Sequence, residues 1–146
     1  MSELIQERVE NPFFRFRGDH RGFVKDGLGE GTWSIQDQIL EAVDHYKRVV
    51  VVATHSIGKS HIGSRVVLGT GCTWQPGLAR ITTTATNYRQ VSNILWPYIR
   101  RTHNQYHLPG EVLKSPQWKI GNELIGDGFS AAASDEAFQI DKFPIR

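Results

Sequence analysis

Val49-Val50-Val51-Val52-Ala53-Thr54-His55-Ser56-Ile57-Gly58-Lys59-Ser60 is the stretch on which the reading of the fold turns. Val49 to Ala53 is continuously apolar and β-branched until its last residue, which predicts a short strand buried on both faces, as in a parallel sheet. Thr54 to Gly58 breaks that pattern. From Lys59 the sequence KSHIGSRVVLG resumes with Ile62, Val66 and Val67 at helical spacing, and Gly69, Gly71, Pro76 and Gly77 are expected to end the helix. Ala53 to Ser60 matches the phosphate-loop pattern G-x-x-x-x-G-K-[ST] at every fixed position except the first, where Ala53 stands for glycine. Such a loop needs a small residue leaving the strand, a backbone free to curl its amides inward, and a glycine where a side chain would meet phosphate. Ala53, Thr54, His55, Ser56, Ile57 and Gly58 would form the cradle. Lys59 would set its ammonium against the β and γ phosphates, and Ser60 would ligand Mg²⁺. The helix beginning near Lys59 would aim its amide dipoles at the anion. An ordinary strand-to-helix turn with Gly58 as a local cap is the other reading, and His55 reads as a solvent-facing loop residue rather than a general base.

Downstream, Ala79 to Thr84 predicts a second strand, so strand, helix and strand fit within about 35 residues, the size of one right-handed βαβ crossover. The two strands are then expected to be parallel neighbours or near neighbours. Asn87 is an N-cap candidate for TNYRQVSNILWPYIRRTH, which carries Val91, Leu95 and Ile99 on one stripe. Pro97 removes the bond to the carbonyl of Asn93, which predicts a kink or an early end. Trp118 to Ile120 and Glu123 to Ile125 flank Gly121-Asn122, a two-residue hairpin signal. Upstream, a helix is expected from Ser34, with Ser34 as cap, Asp37 three residues on, Ile35, Ile39, Val43 and Tyr46 on one face, and Lys47 and Arg48 at its close. Asn11 to Gly31, with Pro12 and scattered glycines, reads as irregular. The expected fold class is therefore α/β: a partial P-loop NTPase with a parallel sheet, flanking helices and a C-terminal β-hairpin. Residues 1–32 form an irregular N-terminal segment and 33–146 an incomplete P-loop ATPase domain.

The 146 residues, 39% hydrophobic and 22% charged, suit one domain able to bury a core. The longest uninterrupted apolar run is Val49 to Ala53, against the roughly 20 residues of a spanning helix, so no membrane role is expected. MSELIQERVE lacks an apolar signal core and Cys72 is the single cysteine, which points to a reducing cytoplasm. Net charge is +2, but Ala79 to Lys119 holds six basic residues against the single acid Glu111. That basic band reads either as a DNA-facing surface or as a solvated helix face. The adjacent acids Asp135-Glu136 follow Ser130-Ala131-Ala132-Ala133-Ser134, which lacks the bulk of a buried strand, so a solvated turn accounts for them better than the acid pair of a hydrolytic site. The six histidines and Cys72 show no metal-ligand spacing.

Over roughly Thr32 to Gln139 the chain resembles the P-loop ATPase half of large terminase subunits, the DNA-packaging motors of tailed bacteriophages. The resembling residues are Trp33-Ser34-Ile35-Gln36, VVVVATHSIGKSHIGSRV, and Ile81-Thr82-Thr83-Thr84-Ala85-Thr86-Asn87-Tyr88-Arg89-Gln90-Val91 followed by Leu95-Trp96 and Ile99-Arg100-Arg101. The resemblance implies ATP and Mg²⁺ as cofactors and places Gln36 at the adenine-recognition position with Trp33 beside it. An exposed helix residue is the other reading of Gln36. Thr83, Thr84 and Thr86 would line the strand end near the nucleotide or the DNA track, or serve as ordinary strand and cap threonines.

By the same resemblance the intact motor acts on double-stranded DNA in the bacterial host cytoplasm, joins a ring oligomer, and meets a small terminase subunit and a portal. Its Walker B strand, catalytic acid and nuclease domain have no counterpart in this chain, which is therefore expected to bind nucleotide without turning it over and to expose an apolar sheet edge. Two alternatives stay open. One is a non-catalytic nucleic-acid-binding or assembly module using Arg89, Arg100, Arg101, Lys114 and Lys119; the other is a helicase-like translocase fragment.

Overall fold

The computed structural model describes residues 11–52 and 58–130. Three helices and a four-stranded sheet carry the architecture: α1 (Ser34–His45), α2 (Lys59–Thr73), β1 (Ile81–Ala85), α3 (88–105), β2 (Glu111–Val112), β3 (Gln117–Ile120) and β4 (Glu123–Ser130). Sheet order is β1-β4-β3-β2. Only β1 and β4 run parallel, in register from Ile81 opposite Gly126 to Ala85 opposite Ser130. The remaining pairs are antiparallel.

This mixed sheet corrects the expected parallel one. The hairpin forms where Gly121-Asn122 predicts it, with Gly121 at φ 60° in the first central position of the turn. Its second strand, however, runs on to Ser130 and becomes the partner of β1. Ile125 has no opposite number between the pairs Trp118/Gly126 and Lys119/Leu124, and this bulge re-phases the strand so that Ile125 and Gly126 are both buried.

Val49 to Val52 is the larger correction, because no strand pairing holds it among the described residues. All four valines are exposed, Val49 and Val51 at 37% and 38% and Val50 and Val52 at 85% and 91%, and they line an open groove with Ile35, Ile39 and Ala42 of α1. A strand buried on both faces needs a layer on each side. With all four valines exposed and unpaired among the described residues, this segment is not that buried strand.

Asn11 to Gly31 also departs from the irregular reading. It holds a 3₁₀ turn at Phe14–Phe16 and helical turns at His20–Gly22 and Phe23–Gly27. Phe16, Phe23, Val24 and Leu28 are buried in the same core as Leu40, Ile62, Leu68, Trp96 and Trp118. The His20 ring bridges Asp44 Oδ1 at 2.5 Å and Thr70 Oγ1 at 3.0 Å, tying this segment to α1 and α2.

The helices differ from expectation at their ends for identifiable reasons. Trp33, not Ser34, is the N-cap of α1, and its amide donates to Gln36 Oε1 at 3.5 Å. α1 stops at His45, short of Lys47 and Arg48. α2 runs through Gly69 and Gly71 because both sit where a side chain cannot: a Cβ at Gly71 would fall 2.1 Å from the Trp118 ring, and one at Gly69 would fall 2.7 Å from the His20 ring. These glycines allow close approach rather than termination. Asn87 caps α3 as its sequence predicts, Oδ1 accepting from the Gln90 amide at 2.9 Å. The helix passes Pro97 by widening: a π-turn at Val91–Leu95 precedes it, and Pro97 opens the α-helical portion Trp96–Gln105.

Arg65, in the middle of α2, is buried and binds Glu30 through two bonds, Nε to Oε1 at 2.8 Å and Nη2 to Oε2 at 2.6 Å. Its Nη1 donates to Ser64 Oγ at 3.0 Å and to Thr102 Oγ1 of α3 at 2.9 Å. The Tyr106 hydroxyl completes the cluster by donating to Glu30 Oε2 at 3.0 Å. Burial alone would raise the Glu30 pKa, yet the Arg65 fork and the Tyr106 hydroxyl outweigh it and hold the carboxyl below its ordinary value.

A carboxyl whose folded pKa is depressed stabilises the fold above its unfolded pKa and loses that contribution as pH falls through the folded value. Unfolding titrations are therefore expected to show stability declining below the ordinary carboxylate range, with a shallower decline in Glu30→Gln. At neutral pH, Glu30→Ala leaves the Arg65 charge buried and unpaired and is expected to cost about 3–5 kcal/mol by urea denaturation.

Candidate functional site

Gly58 holds φ 75° and ψ 41°, the left-handed conformation, at the N-cap of α2, with Lys59 and Ser60 as the first helical residues. The left-handed region costs other L-residues about 1–2 kcal/mol, so the backbone itself calls for glycine here. The Gly58 carbonyl accepts the first bond of the helix, from the Ile62 amide at 3.0 Å. Lys59 is exposed and Ser60 half-buried. Ala53, Thr54, His55, Ser56 and Ile57 lie outside the described residues, as does Asp135-Glu136.

Gln36 is drawn to the same place. It is buried on α1, and its Nε2 lies 3.5 Å from where a Cβ on Gly58 would stand. The structure thus brings Gln36 together with Gly58, against its reading as an exposed helix residue. Trp33, one turn earlier, is 47% exposed.

The threonines divide. Thr83 is held inside the fold, donating to the Asp127 carbonyl at 3.1 Å and accepting from Trp96 Nε1 at 2.9 Å. Thr84 is exposed, and Thr86 donates to Gln90 Oε1 at 3.1 Å beside the start of α3. The basic band divides too. Arg100 turns inward to the Leu113 carbonyl at 2.7 Å and the Lys114 carbonyl at 3.0 Å, which gives it a structural task. Arg89, Arg101, Lys114 and Lys119 remain exposed.

Two residues of this region carry no signal of their own in the sequence. His61 packs behind Gly58, its Cβ 3.7 Å from the position of a Gly58 Cβ, with its ring edge-on to Tyr98 at 6.5 Å between centroids. Burial, followed by the nearby Arg65 charge, lowers its pKa, so the neutral imidazole is favoured. Glu30 is the second, 35 residues from Arg65 in a glycine-rich stretch with no periodic pattern to mark it. Among the described residues no group of three or more His, Cys, Asp or Glu is arranged to hold a metal ion. No helix among them is long and apolar enough to cross a membrane.

A separate groove of about 480 Å³ opens near the carboxyl end of α2, walled by Phe13, Phe14, Trp74, Tyr106 and Pro109. It borders Gly71, three turns along α2 from Lys59, and is not part of the Gly58 region.

Comparison of the chain with protein-family models, with curated proteins and with solved structures finds no match.

Gly58→Ala tests the local geometry without reference to any ligand. It forces a methyl group into the left-handed region and against Gln36 and His61, and is expected to destabilise the chain by about 1–2 kcal/mol in urea titration. A substitution within experimental error of zero would show that the glycine conformation is not needed by the fold.

Proposed function

We propose that the chain is the ATP-binding N-terminal part of a tailed-phage terminase large subunit, the motor that packages DNA into a capsid. The observation that carries this reading is the left-handed Gly58 opening a 15-residue helix with Lys59-Ser60, with the Gln36 amide packed against it. A left-handed glycine at a helix start suits backbone approach to a phosphate, and the helix dipole adds to the attraction. Lys59 supplies the ammonium for the β and γ phosphates, and Ser60 the hydroxyl for the metal. Mg²⁺, when bound with ATP, neutralises charge on the phosphates. Gln36 Nε2, beside Gly58, can donate to an acceptor on the adenine edge, while its Oε1 already accepts from the Trp33 amide.

In this reading the intact assembly is a ring on double-stranded DNA, with a small terminase subunit and a portal as partners. The chain itself binds nucleotide without hydrolysing it. Glu30 is committed to Arg65 and Tyr106, and is therefore unsuited to activating water.

Binding of a fluorescent ATP analogue with and without Mg²⁺ tests the proposal. Lys59→Ala removes a charge-assisted contact and is expected to weaken binding about 10–100-fold, while phosphate release stays at background throughout. Unchanged affinity in that variant sinks the assignment. Gln36→Ala is expected to erase the preference for the ATP analogue over its guanine counterpart; a preference that survives would remove Gln36 from base recognition.

A further inference from the structure

All 15 acidic residues lie within 1–44 or 111–146, so the 66 residues from His45 to Gly110 contain no Asp or Glu. The same stretch holds Lys47, Arg48, Lys59, Arg65, Arg80, Arg89, Arg100 and Arg101. The fold neutralises or occupies some of these cations: Arg65 by Glu30, Arg80 by Asp127, and Arg100 by two backbone carbonyls. Arg89 and Arg101 are left exposed on α3 with no carboxylate partner among the described residues.

Aromatic and apolar groups accompany them. Ile94, Tyr98 and Arg101 recur at helical spacing on the face opposite the buried Trp96, Ile99 and His103. Ile94 is 47% and Tyr98 36% exposed, and the Arg101 guanidinium lies 5.7 Å from the Tyr98 ring. Tyr88, also half exposed, stands with Arg89 at the amino end of the helix.

We infer that this face of α3 binds single-stranded nucleic acid, with Tyr98 as a stacking platform for an unpaired base and Arg101, with Arg89 toward the amino end of the helix, as phosphate contacts. Cations free of carboxylates select a polyanion, and exposed rings beside them select one whose bases present open π-faces. A duplex keeps those faces stacked inside, so the rings favour a single strand. The Tyr98 ring also meets His61 on the first turn of α2, which sets this face beside the Gly58 region. The inference does not rest on nucleotide binding there, and a chain without ATP affinity would leave it standing.

The test is fluorescence anisotropy of the full chain with a labelled oligothymidylate of about 20 nucleotides, and with a duplex of equal length, over a salt series without nucleotide. The single strand is expected to bind more tightly than the duplex. Tyr98→Ala should weaken it about tenfold while Tyr98→Phe retains it. Arg101→Gln should lower the salt slope by about 0.7, the value for one phosphate contact on a single strand. Each variant is compared by thermal melting. If Tyr98→Ala loses its cooperative transition, Tyr98→Phe and Arg101→Gln carry the decision. Tighter duplex binding insensitive to Tyr98 and Arg101 overturns the inference. So does absence of oligonucleotide binding by a cooperatively melting chain, or a dimer in sedimentation that Tyr98→Ala dissolves with no effect on the oligonucleotide.

Discussion

The bidentate pair between Arg65 and Glu30 is the constraint on which the rest of the arrangement depends. A guanidinium carries five donors in a fixed fork, and four N–H···O contacts from Arg65 reach Glu30, Ser64 and Thr102. Because Arg65 binds both Glu30 and Thr102, it ties α2 to α3 and to the N-terminal segment. Tyr106 then closes the cluster from beyond the end of α3. An unpaired charge at this depth is costly, so the three pieces of chain assemble together or leave a strongly unfavourable group inside. His61 lies one helical turn before Arg65, and Gly58 just before that.

Features set by short-range chemistry were legible in the sequence. Asn87 caps because its own side chain reaches an amide three residues on. Gly121 turns the hairpin because its backbone takes positive φ. Gly58-Lys59-Ser60 marks the start of α2 because the left-handed residue and the helix opening are neighbours in the chain. Features that depend on distant partners were not legible. Gly69 and Gly71 look like helix terminators until His20 and Trp118 are seen to occupy the space their side chains would fill. Asn11 to Gly31 has no periodicity, yet Phe16, Phe23, Val24 and Leu28 find a common core through short turns. For Val49 to Val52 the apolar, β-branched pattern describes what the residues favour, whereas pairing depends on which other strand is at hand. Gln36 is the informative case at the site: helical spacing alone leaves it open, and its burial follows from α1 packing beside the start of α2.

The charge distribution has a consequence for packing as well as for binding. A stretch of 66 residues without an acid cannot pair its own cations with carboxylates. The acids that do so come from either side of it, Glu30 from before and Asp127 from after. The Glu30 pairing ties the segment before the stretch to α2, while the segment after it is held on β1 by the strand ladder. Arg65 is buried and Glu30 half-buried beside it at 2.6 Å, whereas Arg80 and Asp127 meet at 3.1 Å with Arg80 largely in solvent. By that difference in solvent screening, the first pair organises the fold and the second contributes little to it.

The Gly58 region therefore takes its geometry from helices rather than from the sheet. In an arrangement with a buried parallel strand leading into the loop, the ladder on both sides would hold the loop's first residues. Here Val49 to Val52 has α1 on one face, and its outward valines forgo a burial contribution of about 1.5–3 kcal/mol each. Gly58 is flanked instead by Gln36 on α1 and His61 on α2. The Arg65–Glu30 pair, two turns along α2, ties the helix that Gly58 opens to the N-terminal segment, so it bears on this region through the helix rather than by contact.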